Sequence, residues 1–510
     1  MTVHHHETPP RIDWATFIPA MLLVAIIALS LLIWPEQGAY YADYLRELVT
    51  RQLGWLYLIL GVCALAFALW LAFGRYGNVV LGQPGVPPEY SDVHWVAMMF
   101  TCGIGGSLIA WGIAEPVFYM QTPPFGVEPL SAASMEWAHV YPIFHWGIMP
   151  WAFYAIPAVP IAYMLFVRDM PMMKISAACE PFLPKRWPGF YARSIDLIIA
   201  LGILGGTATS LGLGVPLVSA LVSELLGIPD QLMTKAVVLF VWFSIFGASA
   251  WRGLDKGIKV LADLNMGLVF VCLAFILIVG PTLFILSTTV NSLGMLIDNF
   301  ARMSLWTDPV LKSGFPEDWT VFYWAWWIAF APYVGLFVGR ISRGRTIRQV
   351  ILGTLGWGTL GTTAFLAIIG GYAIHLEASG QLSLTTVLAE NGMSVVSAKA
   401  LAALPWGKLV LVIFISLSVI FYATTFDSAS YTVASVCSRD LHNDQEPLRI
   451  GRLSWALALA VMALGLLVSG SYQVVQSATV VSSVPLLPIL ILMCVSLVSW
   501  LKTDFGERRG

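Results

Sequence analysis

The stretch FYWAWWIAF, residues 322–330, carries six aromatic side chains in nine positions. An uncharged run of this kind predicts a buried helix. A single tryptophan in a membrane helix usually lies at headgroup level. Trp324, Trp326 and Trp327 stand within four residues, and a position at headgroup level does not account for three of them. A helix turns about 100° per residue, so part of the run forms one stripe that can face a cavity. The stripe consists of Tyr323, Trp326 or Trp327, Phe330 and Val334.

The composition of the whole chain is that of a membrane protein. Of its 510 residues 58% are hydrophobic and only 11% are charged, whereas about a quarter of the residues of a soluble protein are charged. The net charge of -2 gives no reason to expect a nucleic-acid partner. The six cysteines stand singly and without histidine partners, which favours core positions over a metal site.

Apolar runs of membrane-spanning length, about 20 residues, recur along the chain. We predict twelve transmembrane helices. Lysine and arginine concentrate in alternate loops, which predicts that both termini lie in the cytoplasm. We expect the multi-pass chain in the inner (plasma) membrane of the cell. The predicted spans lie near 14–34, 54–74, 95–120, 139–167, 196–226, 235–252, 260–287, 319–339, 349–374, 408–436, 452–470 and 477–500.

The same pattern divides the chain into segments. Residues 291–306 have amphipathic spacing, which predicts a helix along the outer interface that anchors the chain or contacts another subunit. The adjacent histidines His4, His5 and His6 are interpreted as part of a polar tail and not as metal ligands. The predicted segments are an N-tail (1–13), two N-terminal helices (14–94), helices three to seven (95–287), an external helix and loop (288–318), helices eight to twelve (319–500) and a short C-tail (501–510).

Two predicted spans carry helix-breaking residues at corresponding places. Span three contains CGIGGS at 102–107, and span eight contains Pro332 and Gly335 just after its tryptophans. Interrupted helices at matching positions of two halves are typical of inverted repeats with a substrate site at the bilayer midplane. The alternative for the glycines is a packing face of small residues.

A second aromatic set lies in span four, where HWGIMPWAFY (145–154) carries Trp146, Trp151 and Tyr154 beside Gly147 and Pro150. Aromatic faces without nearby charges suit a quaternary ammonium group, because ring quadrupoles hold the cation without an anion that would bind it too tightly to leave. The predicted ligand is therefore a methylated onium compound.

These segments resemble the betaine/carnitine/choline transporter family along essentially the whole chain. The resemblance rests on WTVFYWAWWIAFAPYVGLFVGRISRGRTIR (319–348), FHWGIMPWAFY (144–154) and WGIAEPVFYMQTPPFG (111–126). It implies an all-α, LeuT-like fold with a five-plus-five inverted repeat in spans 3–12, and a homotrimer. It also implies a substrate cage formed by Trp146, Trp151, Tyr154, Trp324, Trp326, Trp327, Phe330 and Phe118.

The sequence departs from the family at points that bear on the substrate. Phe330 and Phe118 occupy positions where related members often carry tryptophan or tyrosine. Ser107 occupies the position where choline-selective members of the resembling family carry aspartate. A neutral Ser107 favours a zwitterion of the glycine betaine, carnitine or dimethylsulfoniopropionate type over choline. Exposed backbone N–H groups of the broken helix can meet its carboxylate.

The resemblance also implies a sodium site. It places Thr424, Thr425 and Phe421 of span ten opposite carbonyls near Thr101 and Ile104 of span three. The alternative is that both threonines bond back to carbonyls of their own helix.

The coupling mode follows from two further positions. Sodium-independent carnitine exchangers resemble this chain but lose the second hydroxyl and carry arginine or methionine where Asn265 and Val334 stand. We therefore expect a sodium-coupled secondary active transporter with no other cofactor. A substrate antiporter and a choline transporter are the alternatives.

Four carboxylates lie in or near predicted spans, where a charge is expensive and functional by default. For each of them a structural role stays equally open. They are Glu115, Glu224, Asp263 and Asp427. The sequence contains no HExxH, GxSxG or P-loop motif, so we do not expect an enzyme.

Overall fold

The structure is a computed structural model that describes residues 10–83, 85–103, 105–170, 174–252, 255–439, 441, 445–470 and 472–506. Some predicted positions lie outside this description. They are His4, His5, His6 and Ile104, together with the side chains of Thr101 and Asp263.

Nearly all of the described chain is helical, as predicted. Lipid-exposed backbone must satisfy its hydrogen bonds within each segment, and the helix does this. Within the described residues the α-helices are α1 (Trp14–Ile33), α2 (Pro35–Phe73), α3 (Asp92–Gly103), α4 (Gly106–Gln121), α5 (Ala132–His145), α6 (Ile148–Phe166), α7 (Pro188–Leu226), α8 (Leu232–Arg252), α9 (Asp255–Val279), α10 (Thr282–Leu305), α11 (Phe322–Ile341), α12 (Ile347–Ala378), α13 (Leu384–Asn391), α14 (Met393–Ala402), α15 (Gly407–Val436), α16 (Arg449–Ser469), α17 (Tyr472–Ser483) and α18 (Leu486–Phe505).

Short elements complete the chain. Three-ten turns cover Pro124–Gly126 and Ile175–Phe182, and a π-helical turn at Pro316–Val321 leads into α11. Strands β1 (Arg11–Ile12) and β2 (Ser438–Arg439) pair antiparallel, which ties the N-terminal segment to the connection between α15 and α16.

Ten helical stretches in the described part of the chain are long and apolar enough to cross a membrane. The class, an all-helical membrane protein, is thus confirmed, but the count of twelve is not. The predicted span 95–120 is two helices, α3 and α4, and each is shorter than a bilayer crossing requires.

The chain is also divided differently around residue 280. The predicted span 260–287 ends as a helix at Val279, and α10 begins at Thr282. Pro281 explains the division, because proline lacks an N–H group and fits a helix start better than a helix interior. The amphipathic segment 291–306 belongs to α10, which is itself long enough to be a candidate span.

Glycines bring α6 and α11 into close contact. A Cβ atom on Gly335 would lie 2.7 Å from Cγ of Pro157, and one on Gly339 would lie 3.0 Å from the carbonyl oxygen of Ala158. Small residues let membrane helices approach at backbone distance. The two aromatic segments therefore face each other across this contact.

Candidate functional site

A cavity of about 280 Å³ lies where the two aromatic segments meet the break between α3 and α4. No lysine, arginine, aspartate or glutamate is among its described lining residues. The lining residues are Gly105, Gly106 and Ser107 at the break, Trp146 and Tyr154 beside α6, Ser210 of α7, Asn265 and Met266 of α9, Trp326, Trp327, Phe330, Tyr333, Val334 and Phe337 of α11, and Phe421, Tyr422, Thr424, Thr425 and Ser428 of α15.

Four aromatic rings form one wall of the cavity. The Trp327 ring lies 4.5 Å from that of Tyr154 and 5.6 Å from that of Trp146 between ring centroids, and Trp146 lies 6.0 Å from Trp326. All four side chains are less than a tenth exposed. The interplanar angles of 46° to 73° present faces and edges at several angles to the same space. Ring faces arranged in this way can hold a cation whose charge is covered by alkyl groups, such as a quaternary ammonium.

Trp146 reaches the cavity because the chain is broken beside it. Helix α5 ends at His145 and α6 begins at Ile148, with Gly147 in an extended conformation between them. A Cβ atom on Gly147 would lie 2.5 Å from the carbonyl oxygen of Ile143, so only glycine fits this turn without a shift.

Three predicted cage residues do not line the cavity. Trp151 is fully buried behind it, with its ring 5.4 Å from that of Trp327. Trp324 packs against Phe144, with ring centroids 5.4 Å apart. Two residues along a helix turn a side chain by about 200°, which is why Trp324 and Trp326 face different neighbours.

Phe118 lines a different cavity, of about 480 Å³, with Tyr472. Its ring lies 5.5 Å from that of Tyr472 and 5.2 Å from that of Trp319. Gly106 and Phe118 are separated by about 18 Å along α4 at 1.5 Å per residue. The structure therefore gives Phe118 no place in the first cavity.

The broken helix supplies backbone to the cavity. Gly105 has extended dihedrals (φ -115°, ψ 176°) and precedes the first turn of α4. The first N–H groups of a helix have no partner within it, and they make its N-terminus electropositive. The Ser107 hydroxyl donates to Oγ of Ser210 at 3.4 Å, so the break also carries two neutral hydroxyl groups.

Hydroxyl and amide oxygens also line the cavity. The hydroxyls of Thr424 and Thr425 donate to the carbonyl oxygen of Phe421 at 2.9 and 2.8 Å, the bonding within the helix that the alternative interpretation anticipates. Each hydroxyl oxygen keeps acceptor lone pairs. Asn265 donates to the carbonyl oxygen of Leu417 at 3.4 Å, and its Oδ1 has no hydrogen-bond partner among the described residues. These are the ligand types that a hard cation prefers.

The sequence left the role of Glu115 open, and the structure places it directly behind the aromatic wall. Its Oε2 accepts a hydrogen bond from Nε1 of Trp146 at 3.2 Å and one from the hydroxyl of Tyr323 at 2.8 Å. His145, which sequence reasoning missed, contacts Oε1 at 3.2 Å. The available signals were a carboxylate and a histidine inside apolar segments.

Two other membrane carboxylates form ion pairs. Glu224 pairs with Lys399 at 2.8 Å, and Asp427 pairs with the buried Arg452 at 3.4 Å. Neither lines the aromatic cavity. Several lining residues, among them Met266 and Phe337, had no distinguishing signal in the sequence.

Comparisons with known proteins bear on the whole chain. A family model described as "BCCT, betaine/carnitine/choline family transporter" matches residues 15–506. A protein named carnitine transporter from Acinetobacter baumannii is 31% identical over 508 residues, which cover 99% of this chain and 92% of that protein. An uncharacterized transporter, YeaV, from Escherichia coli K12 is 34% identical over 445 residues, 87% of this chain and 92% of that protein.

Among solved structures, a sodium-coupled sialic acid symporter in a substrate-bound, outward-open state is similar at 12% identity and a TM-score of 0.43. That match covers 91% of this chain and 92% of the other.

Proposed function

The chain belongs to the betaine/carnitine/choline family of transporters, and on this premise we propose that it carries a zwitterionic methylated onium compound, with sodium as the coupling ion. The compounds in question are of the glycine betaine, carnitine or dimethylsulfoniopropionate type. Transport proceeds by alternating access of the cavity to the two sides of the membrane. The observation that carries the proposal is one cavity that joins an aromatic wall, a broken helix and a cluster of neutral oxygens.

The aromatic wall suits the cationic head of such a substrate. Trp146, Tyr154, Trp326 and Trp327 surround the space with ring faces, and no acidic side chain is among the described lining residues. A trimethylammonium group has no N–H donor, so it gains little from polar partners and binds best to ring quadrupoles. An ion pair in direct contact would slow release of the substrate.

The broken helix suits the anionic end. The first N–H groups of α4, which no side chain caps among the described residues, and the hydroxyl of Ser107 are donors, and donors stabilise a carboxylate. The name of the Acinetobacter baumannii relative, carnitine transporter, also supports a zwitterion. Choline lacks a carboxylate and would leave these donors without an anionic partner, so a choline transporter is the weaker candidate.

Sodium coupling rests on the oxygens of α15 and α9. Thr424, Thr425 and Asn265 bring two hydroxyl oxygens and one amide oxygen to the same cavity, and that amide oxygen has no hydrogen-bond partner in the described part of the chain. Sodium is a hard cation that binds oxygen ligands of this kind. The sodium-independent carnitine exchangers that this chain resembles carry arginine or methionine at the two positions where this chain has Asn265 and Val334.

We also propose a homotrimer in the plasma membrane with both termini in the cytoplasm. Helix α10 exposes a row of apolar side chains at helical spacing, which supports its use in a subunit or lipid contact. The row includes Leu283, Leu286, Val290, Leu293 and Ile297.

The test is uptake by the purified protein in liposomes. Labelled glycine betaine, carnitine, dimethylsulfoniopropionate and choline are supplied separately, with and without an inward sodium gradient. Saturable uptake of a zwitterion that rises with external sodium supports the proposal. Exchange that ignores sodium would support the antiporter, and a preference for choline would overturn the zwitterion assignment.

A further inference from the structure

Glu115 is fully buried in α4, and both of its carboxylate oxygens are surrounded by donors. Oε1 accepts from the hydroxyl of Tyr119 at 2.7 Å and lies 3.2 Å from Nδ1 of His145. Oε2 accepts from Tyr323 at 2.8 Å and from Trp146 at 3.2 Å. Each oxygen thus has two neighbours, which fills the acceptor capacity of a carboxylate.

The hydrogen bonds that Glu115 accepts from Trp146, Tyr119 and Tyr323 suit a carboxylate. His145 completes the cluster: its Nδ1 lies 3.2 Å from Oε1 of Glu115 and 2.9 Å from the Tyr119 hydroxyl, and its Nε2 lies 3.0 Å from Oγ1 of Thr320. The tautomer of the imidazole decides which nitrogen donates, and with the proton on Nδ1 it can donate to Glu115. In that tautomer every neighbour of the carboxylate is a donor. Among the described residues no lysine or arginine forms an ion pair with Glu115, and its one ion-pair contact is His145, which is charged only when protonated.

Trp146 connects this carboxylate to the cavity. Its Nε1 donates to Glu115, while its ring lines the cavity and lies 5.6 Å from that of Trp327. Tyr323 makes a second link, because its hydroxyl donates to Glu115 and its ring lies 5.6 Å from that of Trp146. The Glu115 carboxylate therefore lies directly behind the Trp146 ring, which separates it from the cavity.

We propose that Glu115 determines the preference of the cavity for a cation, as a positioning residue that orients Trp146 and as a fixed negative charge behind it. The inference rests on the proposed onium function. A buried charge without a countercharge is unfavourable, and the onium head of the substrate supplies the missing positive charge across the ring. An N–H group that donates to an anion also leaves more electron density on its ring, which strengthens the attraction of the ring face for a cation.

The experiment compares glycine betaine with 3,3-dimethylbutanoate, in which carbon replaces the charged nitrogen at nearly the same shape. Competition against a labelled substrate measures the affinity of both compounds for the wild-type protein and for Glu115→Gln. We expect wild type to prefer the onium compound by at least about tenfold, and Glu115→Gln to lower that preference by roughly five- to tenfold. The affinity for the carbon analogue should stay within about threefold, because it carries no positive charge.

Matched variants separate charge from packing. Glu224→Gln removes a carboxylate that pairs with Lys399 away from the cavity, and it should leave the preference unchanged. Glu115→Asp keeps the charge on a shorter side chain, and it should keep the onium preference within about threefold of wild type. Thermal unfolding of each variant checks that it is folded.

Each outcome decides a separate point. A wild-type protein without onium preference would overturn the proposed function itself. If folded Glu115→Gln keeps the wild-type onium preference, or if it loses affinity for both compounds equally, Glu115 is only a packing residue. If Glu115→Gln does not fold, Glu115→Asp decides alone, because loss of onium preference in a variant that keeps the charge would overturn the proposal.

Discussion

The ring of Tyr422 occupies the space that a side chain at Gly106 would need. A Cβ atom on Gly106 would lie 2.4 Å from Cε2 of that ring. Tyr422 is buried and packs against Trp242, with ring centroids 5.1 Å apart. Helix α15, which carries the two threonines, thus contacts the break directly through the Tyr422 ring.

This contact predicts that Gly106→Ala is destabilising. The added methyl group must displace the Tyr422 ring or move the break, and such overpacking costs about 1–3 kcal/mol. Gly105→Ala is the matched control, because, apart from its chain neighbours, no heavy atom of a described residue lies within 4 Å of the corresponding Cβ position. Thermal unfolding in detergent compares the two variants. Equal unfolding temperatures would show that the methyl group of Gly106→Ala fits beside the Tyr422 ring without a cost in stability.

Replacing Trp326 or Trp327 by leucine should weaken substrate binding more than roughly tenfold, since a cation-π contact in a desolvated site contributes about 2 kcal/mol or more. Leucine keeps the apolar character of the side chain but has no ring quadrupole. The control is Trp357→Leu, because Trp357 of α12 is 43% exposed and does not line the cavity. Unchanged binding in both cavity variants would identify these tryptophans as packing residues.

An aspartate at position 107 should shift selectivity toward choline. The carboxylate of Ser107→Asp would attract a cationic alcohol and repel the carboxylate of a zwitterion. Competition by choline and by glycine betaine gives the ratio of the two affinities. Ser107→Ala, which removes the hydroxyl without adding charge, should change that ratio far less. If the aspartate variant retains the wild-type ratio, Ser107 does not contact the substrate.

Loss of both hydroxyls on α15 should abolish activation by sodium. Thr424→Ala combined with Thr425→Leu removes two oxygen ligands from the cavity, whereas Thr424→Ser with Thr425→Ser keeps both hydroxyls. Uptake into proteoliposomes is measured against external sodium for each protein. Sodium-activated uptake in wild type and in the serine variant, but not in the other, is the expected result. Full activation in the alanine and leucine variant would place the sodium site elsewhere.

The amino-acid sequence alone was enough to predict the class and much of the cavity. Apolar runs and scarce charges identified membrane helices, because the cost of exposing polar backbone to lipid is a local property of each segment. The FYWAWWIAF stretch supplied Trp326, Trp327 and Phe330, all of which line the cavity. The glycines of span three predicted a break, and the structure has one between α3 and α4.

Tertiary structure decided which of the predicted residues meet. Phe118 and Trp324 carry the same kind of side chain as the lining residues, but axial position and helix rotation place them elsewhere. Neither quantity can be obtained from the residue types of one helix, because each is set by packing against neighbouring helices.

The partners of Glu115 show the same limit most clearly. Its sequence position indicated an expensive charge in a membrane helix and nothing about what surrounds it. Trp146 and Tyr323, which donate to it, are 31 and 208 residues farther along the chain. The sequence by itself therefore determined that the chain is an all-helical membrane protein with an aromatic segment and a broken helix. Only the folded structure placed a carboxylate behind the aromatic wall, because hydrogen bonds between distant helices form only after the helices have packed.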